Sequence, residues 1–258
     1  MQYLLENLVA HYKMNDTAAS TVVIDSQGTS NGTSQRNTSL MTTAGIVNTA
    51  LDFDGTNDWV NCNTNFLTIL KADFTVCLWL KPDDGNIDIN SEDIFGSYTA
   101  NPLSSMFTIY HSDNDIYINY KTADVGLFPG PLYMSSTDAF TDGAQDWHFV
   151  VIAIYQNGAV VSGKLWINDT LVEGSSEAMV MTGFTDSGNL LIGQANMDLL
   201  GPAAGFEFAG PIDNVMVFDK ALSDDEVAFI YNSGSGRETF EDDSLAILES
   251  ADEEALLL

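Results

Sequence analysis

Short segments in which apolar and polar residues alternate recur along most of the chain. Alternation with a period of two places the apolar side chains on one face of a β-strand, and turn-forming residues separate the segments. The predicted strands cover residues 50–55, 74–80, 106–111, 116–121, 149–156, 164–168, 190–193 and 212–218. Because no helical periods lie between them, the sequence predicts an all-β fold, a two-sheet antiparallel jelly-roll sandwich.

One short helix is predicted after the last strand. Residues 223–226 (SDDE) form a capping box, in which the serine hydroxyl accepts a hydrogen bond from a first-turn amide and the glutamate reaches back. Three apolar residues then share one helix face. They are Val227, Ile230 and Tyr231. Gly234 is a typical C-terminal stop, so the helix is expected to end before it.

The composition changes after Gly236. Residues 238–258 contain eight Asp or Glu residues and no Lys or Arg. Small and branched apolar residues recur there at steps of three or four, as on one helix face. They are Leu245, Leu248, Ala251, Ala255 and Leu258. Two interpretations are open: a solvated acidic extension, or a helix that docks into a groove on a partner protein. The predicted domains are therefore 1–236, the sandwich, and 237–258, the acidic tail.

The composition supports a packed core and argues against two classes of partner. Of the 258 residues, 45% are hydrophobic, with 14 Phe, 9 Tyr and 4 Trp. The chain has 8 Lys and Arg against 37 Asp and Glu, a net charge of −29, and such a surface repels phosphate backbones and anionic membranes. We therefore expect no nucleic-acid binding and no membrane insertion. Cys62 and Cys77 do not make a disulfide framework and are predicted to be buried thiols.

Several motifs along the chain resemble those of one family, the LamG-like jelly-roll domains of the concanavalin A-like lectin/glucanase superfamily. The resemblance covers residues 8–234, and Asp169 stands where the family usually has Gly. The motifs are LVAHYKM at 8–14, VIDSQG at 23–28, ALDFDGTNDWV at 50–60, DFTV and WLKP within 73–82, WHFVV at 147–151, GKLWIND at 163–169, and the run from Gly205 through IDNV and ALS to Val227. Most of these residues set the fold, so they say little about a ligand.

Because the superfamily includes glucanases, the sequence was searched for their paired carboxylates. Such enzymes place two carboxylates on one strand face across the glycosidic bond. The nearest strings are Glu92-Asp93, which is expected in a loop, and residues 241–243 in the tail. The histidines His11, His111 and His148 are scattered, and His148 is most simply a packed residue. The sequence therefore predicts a protein that is not an enzyme.

The resemblance also implies a structural calcium ion, since related domains often hold one. Carried over to this chain, its ligands would be Asp25, Asp54 and Asp213. The alternative is that Asp213 caps backbone amides and Asp25 forms an Asx turn. A second oxygen-rich segment, 84–92, resembles the start of a calcium loop, but its alternation is also that of a strand with one wet face, which we favour.

Four aromatic residues in Gly- and Pro-containing segments are candidates for stacking against a sugar ring. They are Tyr98, Phe128, Tyr133 and Phe140. Packing in the core or against loops is the alternative role for such residues. A glycan ligand is therefore an expectation that depends on which of these rings reach the surface.

Two functions follow from these features. The first is a structural or adhesion protein, best matched by a bacteriophage virion surface component such as a capsid decoration or fibre, whose tail anchors it to a capsid or tail protein and whose jelly roll binds host glycans. The second is a calcium-dependent carbohydrate-binding module. The start of the chain, MQYLLE, lacks the basic region of a signal peptide, so cytoplasmic synthesis followed by display on a virion is expected; a cell-surface or extracellular location is the alternative.

Overall fold

Two β-sheets face each other in the computed structural model. The structure describes residues 3–28, 30–64, 66–83, 91–98, 105–112, 114–122, 132–137, 139–140, 146–185, 188–196 and 205–240. In chain order the strands are β1 (Leu8–Tyr12), β2 (Val22–Val23), β3 (Gly32–Ser34), β4 (Thr42–Ala44), β5 (Thr49–Asp54), β6 (Val60–Asn61), β7 (Phe74–Leu80), β8 (Glu92–Tyr98), β9 (Met106–Ser112), β10 (Asp115–Lys121), β11 (Leu132–Ser136), β12 (His148–Asn157), β13 (Val160–Ile167), β14 (Thr170–Glu177), β15 (Leu191–Ile192), β16 (Ala195–Asn196) and β17 (Ala209–Phe218). The predicted two-sheet, all-β fold is confirmed.

Each sheet is built mainly from antiparallel pairs. The first sheet has the order β14-β13-β12-β7-β17-β5-β4, and β1 also pairs with β17. The second has the order β11-β10-β9-β8-β15-β6-β3-β2, and β16 lies parallel to β8. Strands β9 and β10 form the predicted hairpin, with Tyr110 opposite Tyr117. Consecutive side chains on these strands therefore point alternately into the sandwich and away from it.

The inward faces of both sheets fill one hydrophobic core. Phe74, Phe95, Phe107 and Tyr120 contact one another there and are fully buried. The Tyr120 hydroxyl donates to the Leu70 carbonyl oxygen at 2.6 Å, which satisfies its buried polar group. This core holds the two sheets together, so the outer sheet faces remain available for other contacts.

A second hydrophobic cluster covers the outer face of the first sheet. Helix residues supply the other side of this cluster. The helices of the structure are α1 (Tyr3–Asn7), α2 (Leu67–Leu70) and α3 (Asp224–Tyr231), with 3-10 turns at Thr38–Leu40, Met181–Gly183 and Asn232–Gly234. Trp79 and Phe149 project from that face and pack with Val227 and Ile230 of α3 and Leu4 of α1. Strand β7 is consequently buried on both faces. Cys77 lies in this cluster, and both free cysteines are buried as predicted.

The predicted capping box begins α3. The Ser223 hydroxyl accepts a hydrogen bond from the Glu226 amide, and the Ser223 amide donates to the Glu226 carboxylate at 2.9 Å. The helix ends at Tyr231, and Asn232 takes the left-handed conformation at its C-terminus. Gly234, the predicted stop, also has a positive φ but lies two residues further on, in the 3-10 turn.

The sequence-based strand assignment left out several strands of the second sheet, among them β8 and β11. Glu92 and Asp93, expected in a loop, begin strand β8, and Tyr133, also expected in a loop, lies on β11. In β8 the register shifts between Asp93 and Phe95, so a bulge interrupts the alternation that would have marked this strand. These two strands build half of the surface described next.

Candidate functional site

A row of tyrosines stands on the outer face of the second sheet. Tyr110, Tyr117 and Tyr133 come from the adjacent strands β9, β10 and β11, and we call them the tyrosine row. The ring centroids of Tyr110 and Tyr117 lie 5.1 Å apart in a stacked pair, and those of Tyr117 and Tyr133 lie 6.0 Å apart. Tyr133 is 46% exposed. Stacking holds the Tyr110 and Tyr117 rings in one orientation, which lowers the entropic cost of binding a ligand there.

A cleft of 230 Å³ opens beside Tyr110 and is lined by residues of β8, β9 and β10 and by Phe206. Its described lining residues are Ser91, Asp93, Met106, Thr108, Tyr110, Asn119 and Phe206. Phe206, which is 44% exposed, and Tyr110 supply aromatic surface. Asn119 hydrogen-bonds with Tyr110, while burial raises the pKa of the Tyr110 hydroxyl, so this group stays protonated near neutral pH. The cleft thus combines aromatic walls with amide, hydroxyl and carboxylate groups.

A pair of acidic residues lies at the β8 end of this cleft. Asp93 is 9% exposed and Glu207 is 7% exposed, and their backbones form a parallel β-bridge. The Asp93 amide donates to the Phe206 carbonyl oxygen at 2.7 Å, and a Glu207 carboxylate oxygen accepts from the Gly205 amide at 2.7 Å. Burial raises the pKa of Asp93 to about 7; a hydrogen bond from the Ala195 amide opposes the shift and the charge of Glu207 adds to it.

The geometry of β8 explains how Asp93 reaches the cleft. The bulge places Ile94 and Phe95, two consecutive residues, in the core, while Asp93 remains opposite Tyr110. Gly96 lies opposite Thr108, and a Cβ atom at this glycine would come within 2.4 Å of the Phe107 carbonyl oxygen. A larger residue would therefore push β8 away from β9 and widen the cleft floor.

The four predicted aromatic residues have different fates. Tyr133 stands in the tyrosine row, although it does not line the cleft. For Phe140 the structure shows the core-packing alternative, because it is 4% exposed and its ring lies edge-on to His148 at 4.9 Å. Phe128 and the side chain of Tyr98 lie outside the described residues. The residues that form the cleft, Tyr110 and Phe206 above all, were missed.

The sequence carried a weak signal for the missed residues. Tyr110, Tyr117 and Asn119 occupy the polar phase of two alternating strands, where aromatic rings are unusual because they face water. Two tyrosines directly opposite each other across a predicted hairpin would have indicated an outward aromatic pair. No local pattern connects Phe206 to them, because 96 positions of chain separate it from Tyr110.

The three carboxylates assigned to calcium each bind backbone amides. Asp25 accepts from His11, Gln27 and Ser30, and Asp54 accepts from Thr56 and Asn57. The part of the chain that the structure describes holds no group of three or more His, Cys, Asp or Glu side chains able to bind one metal ion. The described structure therefore does not bring these three carboxylates into one such group, and the calcium ion stays a prediction. The start of the second oxygen-rich segment, 84–90, lies outside the described residues.

Asp213 tethers a loop to the first sheet. One of its carboxylate oxygens accepts from the Ile46 amide at 2.9 Å and the Val47 amide at 3.1 Å, as the amide-capping alternative predicts. The other, Oδ1, is buried without a hydrogen-bond partner in the described structure. Burial raises the pKa of Asp213 to about 7; hydrogen bonds from the amides oppose the shift and the charge of Glu238 adds to it.

The first residues of the predicted tail pack against the sandwich. Glu238 accepts hydrogen bonds from the side chains of Asn15 at 2.6 Å and Asn48 at 3.0 Å. The Phe240 ring lies 6.2 Å from the His11 ring. Residues 237–240 therefore contact the domain that was predicted to end at 236. The predicted docking residues, from Leu245 to Leu258, lie outside the described residues.

Glu92 and Asp93 do not form the carboxylate pair of a glucanase strand. They are consecutive on β8, and Glu92 binds the His111 imidazole at 2.8 Å while Asp93 lines the cleft. Their side chains therefore lie in different environments and do not face one shared site. The Glu241 string of the tail lies outside the described residues. Among those described, no helix is long and apolar enough to cross a membrane.

Two mainly antiparallel sheets, with a shared core and an aromatic cleft on one outer face, define a jelly-roll sandwich. A family model described as the concanavalin A-like lectin/glucanases superfamily matches residues 54–228. The match covers more than half of the chain, and the chain belongs to this superfamily. A comparison with curated proteins finds no match.

Solved structures share the fold at low sequence identity. Domain 4 of AbnA, an extracellular arabinanase from Geobacillus stearothermophilus in complex with arabinotriose, is 18% identical, with a TM-score of 0.58 over 86% of this chain and 97% of that one. The CBM40 of a Ruminococcus gnavus sialidase bound to α2,3 sialyllactose is 16% identical, with a TM-score of 0.50 over 64% of this chain and 84% of that one. These likenesses establish the fold alone.

A toxin domain gives a third comparison. The binding domain of botulinum neurotoxin DC, in complex with rat synaptotagmin II, is 14% identical with a TM-score of 0.62. The alignment covers 88% of this chain and 52% of the toxin domain, so this chain spans about half the length of that neighbour.

Proposed function

We propose that this protein is a non-enzymatic adhesion module that binds a glycan in the cleft beside Tyr110. The observation that carries the proposal is the combination, within 230 Å³, of two aromatic residues with a carboxylate, an amide and hydroxyl groups. Binding sites for small ligands combine apolar and aromatic walls with a few convergent polar groups in this way. The cleft is smaller than the roughly 300–1,000 Å³ of most such sites, so it suits a terminal sugar unit.

The chemistry of the lining groups fits a sugar. The C–H faces of a sugar ring can pack on Tyr110 and Phe206, while its hydroxyls both donate and accept hydrogen bonds. Asp93 accepts such bonds, Asn119 donates and accepts, and Thr108 does both through one oxygen. Because Tyr117 already stacks on Tyr110, little ring motion has to be frozen when a ligand binds.

Two neighbours in the fold comparison support a glycan ligand. The arabinanase domain was solved with arabinotriose and the CBM40 with sialyllactose. The toxin domain was solved with synaptotagmin II, so a protein ligand on this fold is also known. The aromatic and hydroxyl-matching character of the cleft favours the sugar for this chain.

The anchoring role belongs to the acidic tail. Residues 241–258, with their predicted docking stripe, would attach the module to an assembly, and the virion surface remains our predicted setting. Anchoring does not depend on the cleft, so glycan binding tests the adhesion prediction alone.

The test is a glycan array probed with the full chain, followed by titration calorimetry with the best ligand. Tyr110→Ala should weaken binding by at least about tenfold, since it removes a wall of the cleft. The matched control is Tyr155→Ala, which truncates a half-buried tyrosine on the first sheet and should bind like wild type. Wild-type protein that binds no glycan, or a Tyr110→Ala variant that binds equally well, would refute the proposal.

A further inference from the structure

We infer that the cleft selects neutral glycans and rejects those whose terminal sugar carries a carboxylate. The inference rests on the proposed function, and it names the class of ligand. Its basis is the acidic pair Asp93 and Glu207: both residues are buried, Asp93 lines the cleft, and Glu207 is its neighbour across the backbone bridge.

The position of Asp93 makes its charge effective. Asp93 lines the cleft and is 9% exposed, so water screens its charge only weakly. Glu207 is held beside it through the backbone bridge and the hydrogen bond from the Gly205 amide. A sugar carboxylate entering the cleft would meet like charges at low dielectric, whereas a sugar hydroxyl would donate a hydrogen bond to Asp93.

The surrounding charges reinforce this selection. Asp93 is the one charged side chain among the described lining residues of the cleft. The Tyr110 side chain, opposite it on β9, is a neutral phenol. Lys121 on β10 lies opposite the lining residue Met106; it is buried and does not itself line the cleft. The net charge of −29 adds a long-range repulsion that salt screens.

The titration of Asp93 gives the selection a pH dependence. Because burial raises the pKa of Asp93 to about 7, the charge is complete above that pH and is lost below it. Protonated Asp93 can donate a hydrogen bond to a sugar carboxylate. Discrimination between neutral and acidic sugars should therefore be strong at alkaline pH and weak at mildly acidic pH.

The experiment uses two ligands that differ by one acidic sugar, lactose and α2,3-sialyllactose, with other neutral and sialylated pairs on the same array. At about pH 8.5 wild type should bind the neutral member at least about tenfold more tightly, and at about pH 5.5 the ratio should shrink. Asp93→Asn keeps the shape and removes the charge, so its ratio should be small and independent of pH. Asp169→Asn, which removes an exposed charge in the turn between β13 and β14, is the matched control and should behave like wild type.

The outcomes separate the two proposals. Tighter binding of the sialylated members, lost in Tyr110→Ala, would overturn the selection while leaving glycan binding in the cleft intact. Unchanged discrimination in Asp93→Asn would also overturn it, because the charge would then have no part. Absence of binding to every glycan would overturn the proposed function and this inference together.

Discussion

Each of the two outer sheet faces carries a stacked pair of aromatic rings, but one pair is covered by a helix and the other is open. On the first sheet Trp79 stacks on Tyr231 with ring centroids 5.5 Å apart, and Phe149 completes the cluster. On the second sheet Tyr110 stacks on Tyr117 at 5.1 Å. Helix α3 supplies Tyr231 and buries the first stack, whereas the second stands beside a cleft.

The difference shows what a helix does to an aromatic face. Covered by α1 and α3, Trp79 is 1% exposed, and its contacts contribute to folding. The tyrosine row keeps ring surface that no described helix covers, and this exposed surface is available to a ligand. Stability and binding are thus assigned to opposite sides of one sandwich, and each prediction below tests that division.

The largest expected effect comes from truncating the covered stack. Trp79→Ala removes a fully buried ring and should lower the free energy of unfolding by about 3–5 kcal/mol. Tyr110→Ala, the matched change on the open face, should lower the free energy of unfolding by about 1 kcal/mol or less while weakening glycan binding at least about tenfold. Urea unfolding measures both losses of stability when it is followed by the backbone circular dichroism signal, which does not depend on Trp79. Equal losses of stability would show that the tyrosine row is structural.

The second effect concerns the pH dependence of stability. Burial raises the pKa of Asp213 to about 7 in the folded chain, above its unfolded value, so the folded state binds the proton more tightly. This contribution to stability is present at low pH and is lost as the pH rises from about 4 to about 7. Asp213→Asn keeps an oxygen for the Ile46 and Val47 amides and should be more stable than wild type at about pH 8 by up to about 4 kcal/mol.

Two comparisons make that prediction specific. At about pH 3.5 Asp213→Asn and wild type should be nearly equal in stability, because the wild-type carboxyl is then mostly protonated in both the folded and the unfolded state. Asp169→Asn, an exposed acid with the same change of net charge, should leave the pH profile unchanged. An Asp213→Asn variant that is less stable than wild type at alkaline pH would show that the buried charge is favourable.

Local patterns predicted the elements that pair regularly, and they failed where the site is built. Strand β7 and the capping box of α3 follow from alternation and from the side chains of residues 223–226. Strand β8 was missed because its bulge breaks the alternation. The bulge is also what directs Asp93 to the cleft, so the irregularity that hid the strand is part of the site.

Long-range contacts set a second limit on sequence-based prediction. Phe206 and Tyr110 line the same cleft because the segment before β17 bridges to β8 at Glu207 and Asp93. No local motif encodes that bridge. Likewise, charge alone placed residues 237–240 in the tail, whereas Glu238 binds two asparagines more than 180 positions away. An acidic composition is the same for a segment that packs on the domain and for one that is solvated, so it cannot distinguish the two.

The third prediction concerns where the covered region ends. A chain ending at Phe240 keeps the contacts of Glu238 and Phe240 and should unfold like the full-length protein. A chain ending at Gly236 loses them and should be less stable by about 1–2 kcal/mol. Both should bind glycan like wild type, because the cleft lies on the other sheet. Thermal unfolding measures the difference in stability between the two chains. Equal melting temperatures would show that residues 237–240 do not stabilise the domain and belong to the tail.

The smallest expected effect is that of calcium. Asp25, Asp54 and Asp213 accept hydrogen bonds from backbone amides at separate places, so the geometry predicts that calcium raises the melting temperature no more than magnesium at equal concentration, through screening of a net charge of −29. The measurement is a pair of thermal melts in each cation, with EDTA as the baseline. A rise specific to calcium and lost in Asp25→Asn would instead support the calcium site implied by the sequence. It would also show that this turn rearranges around an ion.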